Sequence, residues 1–304
     1  MIDRRLTVLR MVAETGTVTA TAHALSYTPS AVSHQLKTLS EEIGVPVVEQ
    51  HGRGMRLTPA GRVLLEHAHE LSERWEAMRG EVLAAAESRH GGALRMCGFS
   101  TAAGSLLPAA AEAVRAQFPT GRIGIIEADP EECFELLLAE RADVAVVVAT
   151  DPLPPRSDPR FAQRDLLTDP LDLLVHEEHP LAVRKEVALL EAADEDWIAD
   201  RPGSPYHQLL MMACSAAGFR PEVAHRSHEW ETGAALVDAG LGVSLVPRMA
   251  RLPSGYRVVR VPLRGDPVPS RRILTGIRRG SERHPLVAAA LRALEEAAER
   301  FTAC

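Results

Sequence analysis

Three amphipathic segments with almost no chain between them restrict the fold more than any other feature of the sequence. Apolar residues recur at helical spacing in residues 4–15, and Gly16 follows where a left-handed cap commonly ends a helix. After a second helical pattern, residues 26–27 leave room only for a tight turn. Thr28 and Pro29 then provide the N-cap and first position of a third helix. Two helices joined so closely predict a helix-turn-helix.

The third predicted helix has two different faces. Val32, Leu36, Leu39 and Ile43 form an apolar stripe, so the polar face opposite to it is expected to be free. Short donors and acceptors on a free helix face can reach base edges or phosphates in a major groove. The predicted DNA-contacting residues of this segment are Thr28, Pro29, Ser30, Ser33, His34, Gln35 and Lys37.

A short hairpin is predicted after the third helix. Residues 45–48 form its first strand and residues 55–57 its second, across a turn at residues 50–54. Arg53 lies between two glycines at the tip, where a guanidinium can enter a minor groove or bind phosphate. Arg53 and Arg56 complete the predicted DNA-contacting set, and the hairpin is interpreted as a wing.

A long helix is predicted from residue 59 to about residue 87. Its apolar residues alternate in steps of four and three, which is the heptad pattern of a helix that pairs with a second copy. The alternative is a helix that packs on its own chain, because Trp and Met also occur in ordinary cores. The predicted dimerisation residues are Leu64, Ala68, Leu71, Trp75, Met78 and Val82.

Composition indicates a soluble globular protein of more than one domain, since 304 residues exceed one ordinary core. No apolar run approaches the roughly 20 residues of a membrane helix, so a cytoplasmic protein with no membrane association is expected. The net charge is -7, but residues 1–60 hold six Lys and Arg against five Asp and Glu. A near-neutral head on an acidic body is compatible with a protein that binds a particular DNA site.

The remainder of the chain alternates between strands and helices. Residues 93–99, 122–127 and 142–148 are predicted strands, with helices over residues 102–117 and 131–140 between them. This order predicts an α/β unit with parallel strands. A proline-rich segment at residues 151–156 interrupts the order, and a second α/β set follows. The pattern alone predicts two adjacent α/β units.

Several motifs together resemble the LysR-type transcriptional regulators. They are TPSAVSHQLK at residues 28–37, EIGVP at 42–46, LTPAG at 57–61, FSTAAGSLLP at 99–108, HPLA at 179–182, AGFRP at 217–221 and LVDAGLGVSLVP at 236–247. They cover essentially the whole chain in the family's spacing. Two positions depart from the family pattern: His34 stands where the family commonly has Arg, and residues 47–50 replace a wing strand that commonly contains an aromatic residue.

The resemblance implies a domain organisation. It predicts an all-α winged helix-turn-helix at residues 1–58, a linker and dimerisation helix at 59–90, and a two-lobed α/β effector-binding domain at 91–304, similar to periplasmic binding proteins. Lobe 1 is expected at about residues 91–163 and 268–304, and lobe 2 at about 164–267, with Gly91 and Gly92 as a hinge. The resemblance also implies operator DNA, a homodimer or homotetramer, and RNA polymerase as partners.

A small-molecule effector is expected between the two lobes, and no cofactor or metal is expected. Ser100 and Thr101 follow the first strand of the α/β part, where ligands of such sheets commonly bind. The resemblance puts the facing contacts at Arg201, Ser204, Trp230 and Thr232. An effector with a carboxylate or a similar oxygen group is expected, with Arg201 adding positive charge.

Two other functions remain open at this point. The two-lobed architecture can also carry catalysis, but the chain has neither a Gly-x-Ser-x-Gly elbow nor a phosphate-binding loop, and its histidine pairs lack a supporting ligand set. A regulator that responds to thiol oxidation is the second alternative, with Cys97 and Cys133 as the switch. The four cysteines form no CxxC pair, so reduced buried thiols are expected.

Overall fold

The computed structural model describes residues 3–86, 92–150 and 153–302 of the chain. Gly91 of the expected hinge, the end of the expected linker helix and Cys304 lie outside the described residues. The chain divides into two compact units. The first comprises Met1–Val147, Asp151–Asp165 and Leu274–Cys304, and the second comprises Val148–Thr150 and Leu166–Ile273.

The secondary structure alternates between helices and strands after an all-helical start. The helices are α1 Arg4–Thr15, α2 Val18–Leu25, α3 Pro29–Ile43, α4 Pro59–Ala85, α5 Ser100–Ser105, α6 Leu107–Gln117, α7 Pro130–Leu138, α8 Pro205–Ala216, α9 Trp230–Asp238 and α10 Pro285–Thr302. The strands are β1 Val48–His51, β2 Gly54–Leu57, β3 Ala93–Gly98, β4 Arg122–Glu127, β5 Val144–Val148, β6 Phe161–His176, β7 Val187–Ala188, β8 Asp196–Ala199, β9 Glu222–Arg226, β10 Ser244–Pro247, β11 Val258–Arg264 and β12 Ser270–Arg278.

The helix-turn-helix forms where the sequence predicts it, because its boundaries are set by local caps. The Thr17 hydroxyl accepts a hydrogen bond from the Ala20 N–H at 3.1 Å, and the Thr28 hydroxyl accepts one from the Ala31 N–H at 3.2 Å. Gly16 ends α1 with a φ of 67°, in the left-handed region that glycine adopts without steric cost. The three helices bury a common apolar core that includes Val8, Leu9, Val12, Val32, Leu36 and Leu39.

The wing differs from the prediction in its first strand. Strand β1 spans Val48–His51 and pairs antiparallel with β2. The predicted strand at residues 45–48 is therefore wrong, because the observed strand begins at the last of those residues. The physical reason is Val47, which is fully buried in the head core. Its N–H donates to the Ser40 hydroxyl at 3.3 Å, and its carbonyl accepts from the Thr58 N–H at 3.1 Å. Val47 therefore anchors the segment and the hairpin starts only after it.

Helix α4 starts against the head at a position where only glycine fits. A Cβ atom at Gly61 would lie 1.9 Å from the Val47 carbonyl oxygen, far inside van der Waals contact. The Thr58 hydroxyl meanwhile accepts a hydrogen bond from the Gly61 N–H at 2.9 Å and fixes the first turn. The linker helix and the wing are thus held together by backbone contact.

Replacement of Gly61 by Ala is expected to lower the free energy of unfolding by about 1–3 kcal/mol, because the backbone must shift to admit the methyl group. This loss outweighs the gain of roughly 1 kcal/mol that Ala brings to a helix interior. Thermal unfolding measures the effect. Gly104→Ala in α5 is the control, since its Cβ would meet nothing within 4 Å. Equal melting temperatures for both variants would contradict the close packing at Gly61.

The α/β part of the first unit contains the parallel sheet that the sequence predicts. Strand β3 pairs in parallel with β4 on one side and with β5 on the other, and β12 follows β5 in the strand order. The predicted helix at residues 102–117 is divided at Leu106 into α5 and α6, since Pro108 belongs in the first turn of a helix. The sheet and α7 share a core with Met11 of α1, which joins the head to this part of the unit.

The second unit has mixed strand directions. Strand β6 pairs antiparallel with both β10 and β11, whereas β7 is parallel to β11 and β8 is parallel to β9. Its core surrounds the fully buried Trp197, whose indole N–H donates to the Ala192 carbonyl at 3.2 Å. In the described part of the chain, no helix has both the length and the hydrophobicity that crossing a membrane requires.

A second close approach binds α4 to the α/β part of the first unit. Gly280 has a φ of +91°, and a Cβ atom there would lie 2.2 Å from the Glu73 carbonyl oxygen. Further along α4, a Cβ atom at Gly80 would lie 2.8 Å from the backbone nitrogen of His284. Next to this contact, Glu76 and Arg278 form a buried ion pair with an N–O distance of 3.2 Å. Helix α4 is therefore packed against the head near its start, at Gly61, and against the α/β part of the first unit along residues 73–80.

Candidate nucleic-acid interface and effector-contacting residues

The polar face of α3 is available to a ligand. The apolar side of the helix is buried through Val32, Leu36 and Leu39. On the other side, Ser33 and His34 are exposed to solvent. Thr28, Pro29, Ser30 and Lys37 are exposed as well. Six of the seven residues predicted for this segment are therefore accessible to solvent.

Gln35 is placed differently from the prediction. Its side chain is half-buried, and its amide oxygen is shielded from solvent with no hydrogen-bond donor among the described residues. A carbonyl oxygen in that position cannot contact a base edge without a rotation of the side chain. The helical pattern missed this because residue 35 lies at the boundary between the apolar stripe and the polar face, where spacing alone does not decide burial.

The two wing arginines differ in their surroundings. The Arg56 guanidinium donates to the Glu49 carboxylate across the hairpin at 2.7 Å. Arg53 is exposed at the tip, between Gly52 and Gly54, and forms no ion pair within the part of the chain that the structure describes. Of the two, Arg53 has the charge that is available to a phosphate.

Two of the expected effector contacts belong to the first unit. Ser100 is exposed at the start of α5, where Phe99 holds the N-cap position and provides no side-chain cap. Thr101 is only 6% exposed, and its hydroxyl oxygen has no hydrogen-bond partner among the described residues. A buried hydroxyl without a partner costs free energy, so a ligand that supplies the missing bond is favoured there.

The other expected contacts belong to the second unit, and Ser204 has a structural role in it. Its hydroxyl accepts a hydrogen bond from the His207 N–H at 3.1 Å and caps α8. Arg201 is exposed, while its backbone N–H donates to the Asp200 carboxylate at 2.6 Å. Trp230 is half-buried and packs edge-on against Tyr206, with ring centroids 4.6 Å apart. Thr232 is exposed on α9.

Asp200 organises this loop and was not predicted from the sequence. Burial raises the pKa of its carboxyl group, but hydrogen bonds from the Arg201 N–H, Ser204 and His228 have a larger effect in the opposite direction. The pKa of Asp200 therefore lies below the ordinary value. The carboxylate therefore stays ionised and holds the loop in place. An acidic residue at the end of a strand and four positions before a helix N-cap was the sequence signal for this role.

The predicted dimerisation residues of α4 fall on two surfaces. Ala68 is buried against its own chain, and Leu64 packs on the head core. Leu71, Met78 and Val82 are instead 53%, 45% and 62% exposed, and Trp75 is half-buried. The alternative of a helix packed on its own chain thus describes one face of α4, and an exposed apolar stripe occupies another.

With this geometry established, the family of the chain follows from comparison with known proteins. Residues 4–62 match the family described as "Bacterial regulatory helix-turn-helix protein, lysR family", and residues 87–299 match the "LysR substrate binding domain". The chain is a LysR-type transcriptional regulator. It has the N-terminal DNA-binding domain and the effector-binding domain that the sequence motifs predict.

Individual known proteins are similar to this chain in sequence or in fold. The transcriptional regulator AlsR of Bacillus subtilis is 27% identical over 233 residues, which cover 76% of this chain and 75% of AlsR. Full-length OxyR from Pseudomonas aeruginosa superposes with a TM-score of 0.68 at 19% identity, over 97% of this chain and 94% of that one. CbnR in complex with its target DNA superposes with a TM-score of 0.57 at 24% identity, over 98% of this chain and 100% of CbnR.

The thiol-redox alternative depends on whether the cysteines of this LysR-type regulator are accessible. Cys97, Cys133 and Cys214 are all fully buried. A hydrogen bond with Cys97 and burial both raise the pKa of the Cys133 thiol, and burial raises that of Cys214 to about 12. Oxidation proceeds through an accessible thiolate. All three thiols are shielded from solvent, and the raised pKa values keep Cys133 and Cys214 protonated, so the geometry does not favour the thiol-redox alternative.

Proposed function

We propose that this LysR-type regulator binds its operator with the exposed face of α3 in the major groove and Arg53 on the adjacent backbone or minor groove. The observation that carries the proposal is the accessible set of short polar side chains on α3, opposite the buried Val32, Leu36 and Leu39; Ile43, the last residue of the predicted apolar stripe, is 48% exposed. This is the arrangement by which a recognition helix places side chains on base edges. Capture of genomic fragments by the purified protein, followed by footprinting, tests it.

A homodimer through α4 is the second part of the proposal. Leu71, Met78 and Val82 follow one another in steps of seven and four residues, so they lie along one exposed stripe of the helix. Pairing two such stripes removes apolar area from water and places two heads for an inverted repeat. A tetramer and contact with RNA polymerase are proposed from the family alone.

The double substitution Met78→Lys and Val82→Lys is expected to dissociate the dimer. Each side chain contributes about 1.5–3 kcal/mol when buried, and two ammonium groups in the seam add repulsion. Light scattering at micromolar concentration measures the outcome as a halved molar mass. Ala84→Lys is the matched control, since Ala84 is exposed on another side of α4. Retention of the dimer by the double variant would exclude this stripe as the seam.

We further propose that a small molecule with a carboxylate or a similar acceptor oxygen controls DNA binding. Two observations support it, one in each unit. Thr101 has a buried hydroxyl that lacks a partner among the described residues. Arg201 has a side chain that is exposed to solvent and positively charged. Ser204 is not included among the contacts, because its hydroxyl caps α8. Effector binding would act by favouring one of two conformations of the regulator.

Thr101→Val is expected to lower the affinity for the effector about 10-fold, since it removes one hydrogen bond of roughly 1–1.5 kcal/mol without changing the side-chain volume. Isothermal titration against a panel of small carboxylates identifies the effector and measures the change. Ser215→Ala, an exposed hydroxyl at the far end of α8, is the control. Equal affinity of wild type and Thr101→Val would exclude Thr101 from the site.

A further inference from the structure

A small cavity in the first unit lies where the head, the linker helix and the α/β part meet. Its volume is about 10 Å³, roughly the room that one water molecule or one monatomic ion needs. Four arginines line it, which is unusual for so small a space. The lining residues are Arg10, His69, Ser72, Glu73, Pro159, Arg160, Arg278 and Arg279.

Among the residues that the structure describes, Arg10 is the most buried of the cavity's arginines that have no carboxylate partner. It is 6% exposed, and one of its Nη atoms donates to the Ser72 hydroxyl at 2.7 Å. Its Nε–H is shielded from solvent and has no acceptor among the described residues. Burial lowers the pKa of the guanidinium; Arg278 and Arg160 act in the same direction, whereas Glu140 and Glu76 oppose them. An arginine nevertheless stays charged in proteins, so a buried positive charge needs an anion.

Two of the other arginines already have their anions. The Arg160 guanidinium binds the Asp158 carboxylate at 2.7 Å and also pairs with Glu14. Arg278 pairs with Glu76 at 3.2 Å and with Asp143 at 3.0 Å. Their charges are compensated within the protein.

Arg279, like Arg10, has no carboxylate partner among the described residues. It donates to the backbone carbonyls of Pro159 at 2.9 Å, Asp158 at 3.3 Å and Phe161 at 3.0 Å. Carbonyl groups satisfy its N–H groups but do not neutralise its charge, and it forms no ion pair within the described residues. The remaining carboxylate at the cavity, Glu73, is exposed to solvent. Arg10 and Arg279 thus place two uncompensated positive charges at one small cavity.

His69 adds a donor or an acceptor without adding a charge. Burial, followed by the positive charges of Arg10 and Arg160, lowers the pKa of its imidazole to about 4. The ring is therefore neutral at pH 7.

We propose that this cavity binds one small inorganic anion of about the size of chloride, held by the Nε–H of Arg10 and the guanidinium charge of Arg279. The bound anion would compensate both charges at the junction of α1, α4 and the segments at residues 159–160 and 278–279. It would therefore stabilise the packing of the head and the linker helix on the α/β part. This site is independent of the operator and effector sites proposed above.

The test compares the melting temperature of the full-length protein in sodium chloride and in sodium gluconate at equal sodium concentration. Wild type is expected to melt about 2–4 °C higher in chloride, since a ligand that binds only the folded state raises its stability. Arg10→Met is expected to lose this difference and to melt in gluconate at or above wild type, because the uncompensated charge is gone. Arg283→Gln, which removes an exposed arginine outside the cavity, is expected to keep it.

The position of the anion is tested in crystals of the wild-type protein soaked in sodium bromide. An anomalous difference peak within hydrogen-bonding distance of Arg10 Nε, absent from Arg10→Met crystals, is the expected result. Bromide peaks only elsewhere on the protein would overturn the proposal, even if chloride raised the melting temperature. An equal chloride effect in wild type and Arg10→Met would overturn it as well.

Discussion

Replacement of Ser33 by Glu is expected to abolish operator binding, with a loss in affinity of at least about 100-fold. Ser33 is exposed in the N-terminal half of α3, on the face that the proposed docking presents to the major groove. A carboxylate there would oppose the charge of the phosphates and lose its own hydration, and like charges brought together cost several kcal/mol. Fluorescence anisotropy with a labelled operator measures the affinity.

The fold should not change in this variant, because Glu is a good helix former and the site is exposed. The melting temperature is therefore expected to stay that of wild type. Gln117→Glu is the matched control, since it makes the same change in net charge at an exposed position of α6. Wild-type affinity of Ser33→Glu would show that α3 does not enter the groove with this face.

Replacement of Arg278 by Met is expected to reduce the free energy of unfolding by about 3–5 kcal/mol, the cost of removing one partner from a buried ion pair. Arg278 and Glu76 are 5% and 4% exposed. The guanidinium also donates to Asp143 at 3.0 Å and to the Leu137 carbonyl at 3.2 Å. These acceptors, together with the Ala142 carbonyl, lose the Arg278 donor in the variant. Urea-induced unfolding followed by ellipticity measures the loss.

Arg283→Gln is the control for this stability measurement. Arg283 also pairs with α4, through Glu81, but the two side chains are 72% and 58% exposed, and surface pairs contribute about 0–1 kcal/mol. The double variant Arg278→Met, Glu76→Met is expected to recover most of the loss, because the Glu76 carboxylate is gone and Asp143 still accepts a hydrogen bond from the Arg95 N–H. Similar midpoints for Arg278→Met and Arg283→Gln would contradict the account of α4 anchoring.

The head was predictable because its signals are local. The N-caps Thr17 and Thr28 and the left-handed Gly16 each act within three or four residues of their position. Such interactions depend on neighbouring residues alone, so the sequence contains them in full. The parallel order of β3, β4 and β5 was equally accessible from the alternation of strands and helices.

The remaining features depend on residues far apart in the chain. The wing strand begins after Val47 because Val47 is buried by the whole head, and a short apolar run does not reveal that. Arg278 and Glu76 are 202 residues apart, so their pairing leaves no pattern in the sequence. Arg10 lies on a helix with a regular apolar stripe, and its hydrogen bond to Ser72, 62 residues away, leaves no pattern in the sequence.

The residues proposed to contact the effector illustrate the same limit at single positions. A serine at the start of a helix can cap it or bind a ligand, and spacing does not distinguish the two roles. In the structure Ser204 caps α8, whereas Phe99 and not Ser100 holds the N-cap of α5. The unpartnered hydroxyl of Thr101 is visible only once its surroundings are known.

The most direct test of the central claim is capture of genomic DNA fragments by the purified protein, followed by footprinting of the fragments it retains. Two recognition helices on a dimer are expected to protect an inverted repeat with half-sites about one helical turn, or a multiple of it, apart. A protected inverted repeat that Ser33→Glu fails to protect is the predicted result. Absence of sequence-selective capture at low salt, where phosphate contacts are strongest, would contradict the account.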